Sequence, residues 1–118
     1  MAANPRGRRG EEYAAQALQA AGYRIADHNW HSRYGEVDLI ALGEDCICFV
    51  EVKTRTGNFA RGREAVTPAK QRKLRTTAEY YLMQHRLDCP CRFDVAEVRP
   101  GKDGAYTDAG IEYIISAF

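Results

Sequence analysis

Apolar and polar positions change their period along the chain, and each change marks an element. In residues 10–21, Ala14, Ala17, Leu18 and Ala21 recur at helical spacing, which predicts a helix. Gly22 suits the position just past its end. Residues 23–26 read as a short first strand, and residues 27–34 as a polar connection holding the single tryptophan, Trp30. Residues 36–42 and 46–54 read as strands joined by Gly43-Glu44-Asp45, a link so short that it implies an antiparallel hairpin. After a loop over 55–66, Thr67 is placed to cap a second long helix with Pro68 at its first position. Leu74, Ala78, Tyr81, Leu82 and His85 form its apolar stripe. Residues 92–98 predict a fourth strand, Lys102-Asp103-Gly104 a turn, and residues 111–118 a last strand or short helix. The fold class is α/β: a basic, flexible arm over 1–9, then one domain over 10–118.

Two of these strands carry charges that their apolar setting does not explain. They are Gly35-Glu36-Val37-Asp38-Leu39-Ile40 and Phe49-Val50-Glu51-Val52-Lys53. Ionised side chains are costly to bury unless they are paired or bind something. Alternation puts Glu36, Asp38 and Ile40 on one face of their strand. It groups Ile47, Phe49, Glu51 and Lys53 on one face of the next, with Cys46, Cys48, Val50 and Val52 on the other. A site forms if the hairpin register sets Asp38 beside Glu51.

Such a site suits phosphodiester hydrolysis, which needs an activated water and neutralised phosphate charge. A divalent ion does both, and Mg²⁺ or Mn²⁺ prefers oxygen ligands. Asp38, Glu51 and the backbone carbonyl of Val52 would be those ligands. Lys53, ~6.5–7 Å farther along the same face as Glu51, would orient the water or stabilise developing charge. The helical stripe, extended back, brings Glu11 to the buried edge of the first helix, where it could support the site or merely complement the helix dipole. Glu-x-Lys alone is a weak signal; the two charged strands and the preceding helix make it specific. A buried ion pair of Lys53 with Glu51 or Asp38 is the competing reading, and buried pairs stabilise poorly.

Charge distribution changes the picture more than total charge. The net charge is only +1, but Arg6, Arg8 and Arg9 stand at the start without an acid. Arg55, Arg61, Arg63, Lys70, Arg72, Lys73 and Arg75 face Glu64 alone. Either these are solvated surface or they meet a polyanion. Arg6, Arg8, Arg9, Arg55, Arg61, Arg63, Lys70, Gln71 and Lys73 are the candidate nucleic-acid contacts. His31 could touch phosphate, and Trp30 and Tyr34 could stack on a base, although packing explains Trp30 more simply. Arg92 and Asp94 read as a structural pair at a strand end. Cys46-x-Cys48 and Cys89-Pro90-Cys91 lack the usual spacing of structural zinc and read as small buried hydrophobes. No apolar run approaches the ~20 residues that cross a bilayer. No apolar stretch follows the first arginines as in a signal peptide. The expectation is a cytoplasmic protein with its four cysteines reduced.

The order Glu11, Asp38, Glu51-Val52-Lys53 resembles the PD-(D/E)xK nuclease superfamily, especially Holliday junction resolvases of the archaeal type. More narrowly, the chain resembles the YraN family of small bacterial proteins. Gly10-Glu11 with Ala14, Asn29, residues 35–40 and 49–53, Arg55, Lys70, Arg92-Phe93-Asp94 and Ala117-Phe118 carry that likeness. The resemblance implies a restriction-endonuclease-like core, a mixed sheet flanked by helices in αβββαβ order. It implies metal ligation by Asp38 and Glu51, with Lys53 catalytic and Glu11 supporting. The expected activity is cleavage of DNA, ahead of RNA, with preference for branched or flapped structures. A junction substrate would suit a homodimer. The alternative is a non-catalytic nucleic-acid-binding or protein-adaptor domain on a nuclease scaffold.

Overall fold

A computed structural model describes residues 5–54, 66–100 and 110–118, with residues 5–8 described in backbone only. The elements are α1 (Pro5–Ala20), β1 (Arg24–Ser32), β2 (Gly35–Leu42), β3 (Ile47–Thr54), α2 (Pro68–Gln84), β4 (Cys91–Arg99) and β5 (Gly110–Ile114). They make an α/β fold around one mixed sheet in the order β1-β2-β3-β4-β5. β3 and β4 run parallel, and the other neighbours are antiparallel. Parallel neighbours need a long crossover, and α2 lies in it.

Alternation along the central strands feeds two cores. On one face Ala14, Ala15 and Leu18 of α1 pack with Leu39, Ala41, Cys48, Val50, Ala96 and Val98. On the other, Leu74, Ala78 and Tyr81 of α2 pack with Val37, Ile40, Ile47, Phe49, Phe93 and Val95. β4 lies between two paired neighbours and is covered on both faces, so every residue from 93 to 98 is buried.

The helix ends follow the expected chemistry. Gly22 adopts φ +101°, the left-handed conformation that glycine takes without a steric cost. There, Tyr23 N–H donates to the Leu18 carbonyl and Gly22 N–H to that of Gln19, both at 3.0 Å. Thr67 Oγ1 caps α2 by accepting from Lys70 N–H at 3.3 Å, with Pro68 next.

Two expectations on element bounds change, and one alternative is decided. α1 begins at Pro5, so residues 5–9 are helical where an arm was expected; proline suits a first helical turn because its missing N–H is not needed there. β1 covers Arg24–Ser32, not 23–26, and pairs with β2 almost to the turn. A register shift between Ile25 and Asp27, and Asn29 at φ +46°, mask its period. The last segment contains a strand, β5, and no helix among its described residues. Lys102-Asp103-Gly104 lies outside the described residues. Among the described residues, no helix is long and apolar enough to cross a membrane.

Candidate active site

The β2–β3 register decides whether the charged strands meet. The turn closes with Gly43 N–H donating to the Cys46 carbonyl at 2.8 Å. Pairing then runs from Leu42↔Ile47 to Leu39↔Val50. One step farther, that register sets Asp38 opposite Glu51. There the ladder gives way, and Val52 N–H donates to Asp38 Oδ2 at 2.8 Å. In an antiparallel ladder, the N–H and C=O of a residue face the same neighbour, so the Val52 carbonyl is directed to Asp38's side as well.

The face assignment on β3 holds, but that on β2 needs correction. Val37 joins Ile40 in the core under α2, while Leu39 and Ala41 join the core under α1. Strict alternation would have separated Val37 from Ile40. The period slips at Asp38, across from Asn29, whose left-handed backbone breaks the same period on β1. Asp38 is thereby turned toward β3 and largely buried at the point where the strands part.

Four carboxylates share this end of the sheet. Burial, and next the Glu51 charge, push the Asp38 carboxyl up to about 7; Glu11 and Glu36 add to the rise, and the Val52 N–H opposes it. Glu11 reaches in from α1. Burial raises its pKa, a hydrogen bond with Asn29 works against that, and Glu36 and Glu51 raise it further. Its Oε1 is buried without a hydrogen-bond partner among the described residues. Lys53 Nζ stands 3.4 Å from Glu51 Oε1, with the two side chains only 18% and 20% exposed. Glu11, Asp38 and Glu51 thus influence one another, and Lys53 joins them through Glu51.

Beside it runs a groove of about 420 Å³ between the β1–β2 hairpin and the start of α2. Glu36, Glu51, Lys70, Lys73, His31 and Thr77 line it. His31 Nδ1 lies 3.2 Å from Glu36 Oε2, both well exposed. Lys70 and Lys73 line that groove together with Glu36 and Glu51. Gln71 does not: its Nε2 donates to the Val66 carbonyl at 3.0 Å and is occupied in fixing the entry to α2. Arg9 lies with Glu12, Tyr13 and Gln16 on a separate surface of α1. The side chains of Arg6, Arg8, Arg55, Arg61 and Arg63 fall outside the described residues.

Two buried acids of β4 depart from the sequence reading. Asp94 is not at a strand end but mid-strand and fully buried. Both its oxygens lie 3.0 Å from Arg92 Nε, Oδ1 accepts from Ser116 N–H at 2.9 Å, and Oδ2 accepts from the Tyr113 hydroxyl. Glu97 is the one that sequence reasoning misses. It is fully buried, sits opposite Lys53 in the β3–β4 register, and bonds to Arg99 through Oε1. Its Oε2 has no hydrogen-bond partner among the described residues. The signal is present in the sequence: an acid inside an apolar strand, the same feature that singles out Asp38. Cys48 is buried as expected, with burial pushing its thiol up to about 12, but Cys89 and Cys91 are exposed.

The donor chemistry suits a hard divalent cation. The groups are oxygens, one carboxylate is destabilised by burial and then by its neighbours, and one carboxylate oxygen is buried without a donor among the described residues. Among those residues, no three His, Cys, Asp or Glu side chains are gathered into a ready-made cage. Ligation would therefore draw on a backbone oxygen, and Val52 faces the right side.

Comparison with known proteins shows the family of the chain. Residues 10–98 match the uncharacterised protein family UPF0102. A UPF0102 protein of Symbiobacterium thermophilum is 51% identical over 100 residues, covering 83% of this chain and 85% of that protein. One from Chlorobium chlorochromatii is 44% identical over 115 residues, covering 95% and 89%. One from Rhodococcus opacus is 45% identical over 114 residues, covering 95% and 94%. The matched span contains Glu11, Asp38, Glu51, Lys53, the groove lysines and Glu97 together, and the chain belongs to the UPF0102, or YraN, family.

Proposed function

We propose that this protein is a Mg²⁺- or Mn²⁺-dependent endonuclease that hydrolyses phosphodiester bonds in DNA, with preference for branched or flapped structures. The observation that carries the reading is the convergence at Asp38. This largely buried carboxyl stands across from Glu51, accepts from Val52 N–H, and feels the charges of Glu11 and Glu36 as well. A fold keeps such repulsion where charge matters to a task. Asp38, Glu51 and the Val52 carbonyl would hold the cation, with Glu11 behind them. When bound, the cation supplies an activated water and neutralises phosphate charge. Lys53, whose ammonium lies beside Glu51, donates hydrogen bonds to a phosphate oxygen and stabilises the charge that builds there. Lys70 and Lys73 track the adjoining phosphates along the groove. Phosphate contacts carry no sequence information, so selectivity is for DNA structure.

The test is cleavage of single-stranded, duplex, flapped and four-way DNA by the purified chain, with Mg²⁺, Mn²⁺ or chelator. Asp38→Asn and Lys53→Ala should each lower cleavage at least ~100-fold while circular dichroism stays that of the parent. Parent-level cleavage by either variant, or indifference to chelator, overturns the assignment. Binding should weaken steeply with salt, and Lys73→Ala should reduce the slope by roughly one ion.

Two observations favour the adaptor reading: Lys53 pairs with Glu51 at 3.4 Å, and no three-ligand cage stands ready among the described residues. Calorimetric titration with Mg²⁺ or Mn²⁺ separates the two, because an adaptor has no need to bind either ion. An RNA copy of the preferred substrate tests the choice of DNA.

A further inference from the structure

We propose that Trp30, Tyr34 and Tyr80 form a stacking platform for unpaired DNA bases beside the hairpin tip that borders the groove. The proposal deepens the nucleic-acid reading of that groove and rests on it. Tyr34 lies at the tip of the β1–β2 hairpin, 5.2 Å from Tyr80 of α2 at an interplanar angle of 61°. Trp30 lies 6.1 Å from the same Tyr80 ring, and edge-on to Tyr81 at 5.0 Å. Tyr81 is the fixed wall behind them: it is buried, and its hydroxyl donates to Asp27 at 2.9 Å. The other three rings are only half-buried. They form one continuous aromatic surface that keeps part of its area in water.

Its surroundings point to the occupant. The exposed Arg33 guanidinium stands 5.1 Å from the Tyr34 ring centre. Lys73, Ser32, Gly35 and Thr77 of the same hairpin tip and helix line the groove that leads to Glu51. Aromatic faces interleaved with cations match a chain of alternating bases and phosphates. A duplex hides its base faces, so the matching strand is unpaired. The platform is also pre-set. Gly35 adopts φ +147°, and a Cβ there would stand 2.9 Å from Thr77 Oγ1, so the hairpin tip is seated directly on α2. Rings held this way lose little freedom on binding. The rings would grip a flap or branch strand while its phosphates run along Lys73 and Lys70 toward the acidic end.

Trp30 is the chain's one tryptophan, so tryptophan fluorescence reports on a ring of the platform. The experiment titrates the whole protein, in chelator to prevent cleavage, with a short oligothymidylate and with a duplex of equal length. Fluorescence and the anisotropy of labelled DNA are both followed. The single strand should quench Trp30 saturably and bind at least ~5-fold tighter than duplex, and Tyr34→Ala should weaken it roughly tenfold. Tyr34→Phe, which keeps the ring, should bind as the parent does. DNA binding without quenching, equal loss of single-strand and duplex binding in Tyr34→Ala, or a Tyr34→Phe as weak as Tyr34→Ala each overturn the platform. Saturable quenching by a protein that cleaves nothing upholds the platform and sinks the nuclease; absence of all DNA binding sinks both.

Discussion

Asp94 on β4 and Asp38 on β2 flank β3 from opposite sides, and both are largely or wholly removed from water. Around Asp94 the protein supplies donors to both oxygens: the Arg92 guanidinium, the Tyr113 hydroxyl and the Ser116 N–H. Arg92 is itself held, its Nη2 donating to the Tyr23 hydroxyl at 2.6 Å. Burial, and then the bond to Asp94, push the Tyr113 phenol well above its usual range, so it stays a donor. Asp38 instead receives a backbone donor, Val52 N–H, and faces the carboxylates of Glu51, Glu11 and Glu36. The first arrangement is closed and holds the sheet to the C-terminal segment. The second sets three further carboxylates near Asp38 with one ammonium, Lys53, paired to Glu51, an imbalance that the proposed cation would relieve.

The contrast is broken most forcefully at Asp94. Asp94→Asn leaves the Arg92 guanidinium against a neutral amide. Removing one partner of a buried pair costs ~3–5 kcal/mol. Urea unfolding should show that loss in full at pH 7, with little change in slope. A loss below ~1 kcal/mol would mean that the network is solvated and that the contrast is false.

At Asp38 the sign reverses. Its native pKa of about 7 lies above the ordinary 3.8, so between these values the folded protein keeps a proton that the unfolded chain has released. Stability tied to this group is full below pH ~4 and is lost as pH rises through about 7, at up to ~1.4 kcal/mol per pH unit for one proton. In Asp38→Asn the amide oxygen can still accept the Val52 N–H, and no charge is left to titrate. That variant should therefore be more stable than the parent at pH 8 and nearly equal to it at pH 4. Mg²⁺ or Mn²⁺ should raise the thermal midpoint of the parent at pH 8 and not that of the variant. A variant less stable than the parent at pH 8 would place Asp38 with Asp94 among the structural acids.

Local chemistry makes much of this legible from the residues. Gly43-Glu44-Asp45 forces a hairpin, and the hairpin register then sets Asp38 beside Glu51. Thr67 and Pro68 fix the start of α2, and with it the reach of Lys70 and Lys73. What stays hidden depends on distant parts of the chain. Asp94 and Glu97 are buried because β4 is an inner strand between β3 and β5, and strand order is not written in a strand's own residues. The slip at Asp38 needs Asn29 in a left-handed conformation on a different strand. Gln71 reads as free in the sequence because the carbonyl it meets, that of Val66, precedes the helix.

Glu97 lies between the two cases and supplies the smallest and sharpest test. It is as buried as Asp94, yet only Oε1 is satisfied, by Arg99, whose side chain is 43% exposed. Water reaches that guanidinium and screens the pair. Oε2 has no donor among the described residues, and the residue opposite in register, Lys53, is engaged with Glu51. Glu97→Gln keeps the volume and an acceptor for Arg99. It loses a screened ion pair but also relieves a buried charge that only one side of the carboxylate answers. These effects oppose each other, so unfolding should shift by less than ~1 kcal/mol. A loss as large as that of Asp94→Asn would show that the carboxylate is fully held in the folded protein. Glu97 would then belong with the closed network, leaving the frustrated acids confined to the end of β2 and β3.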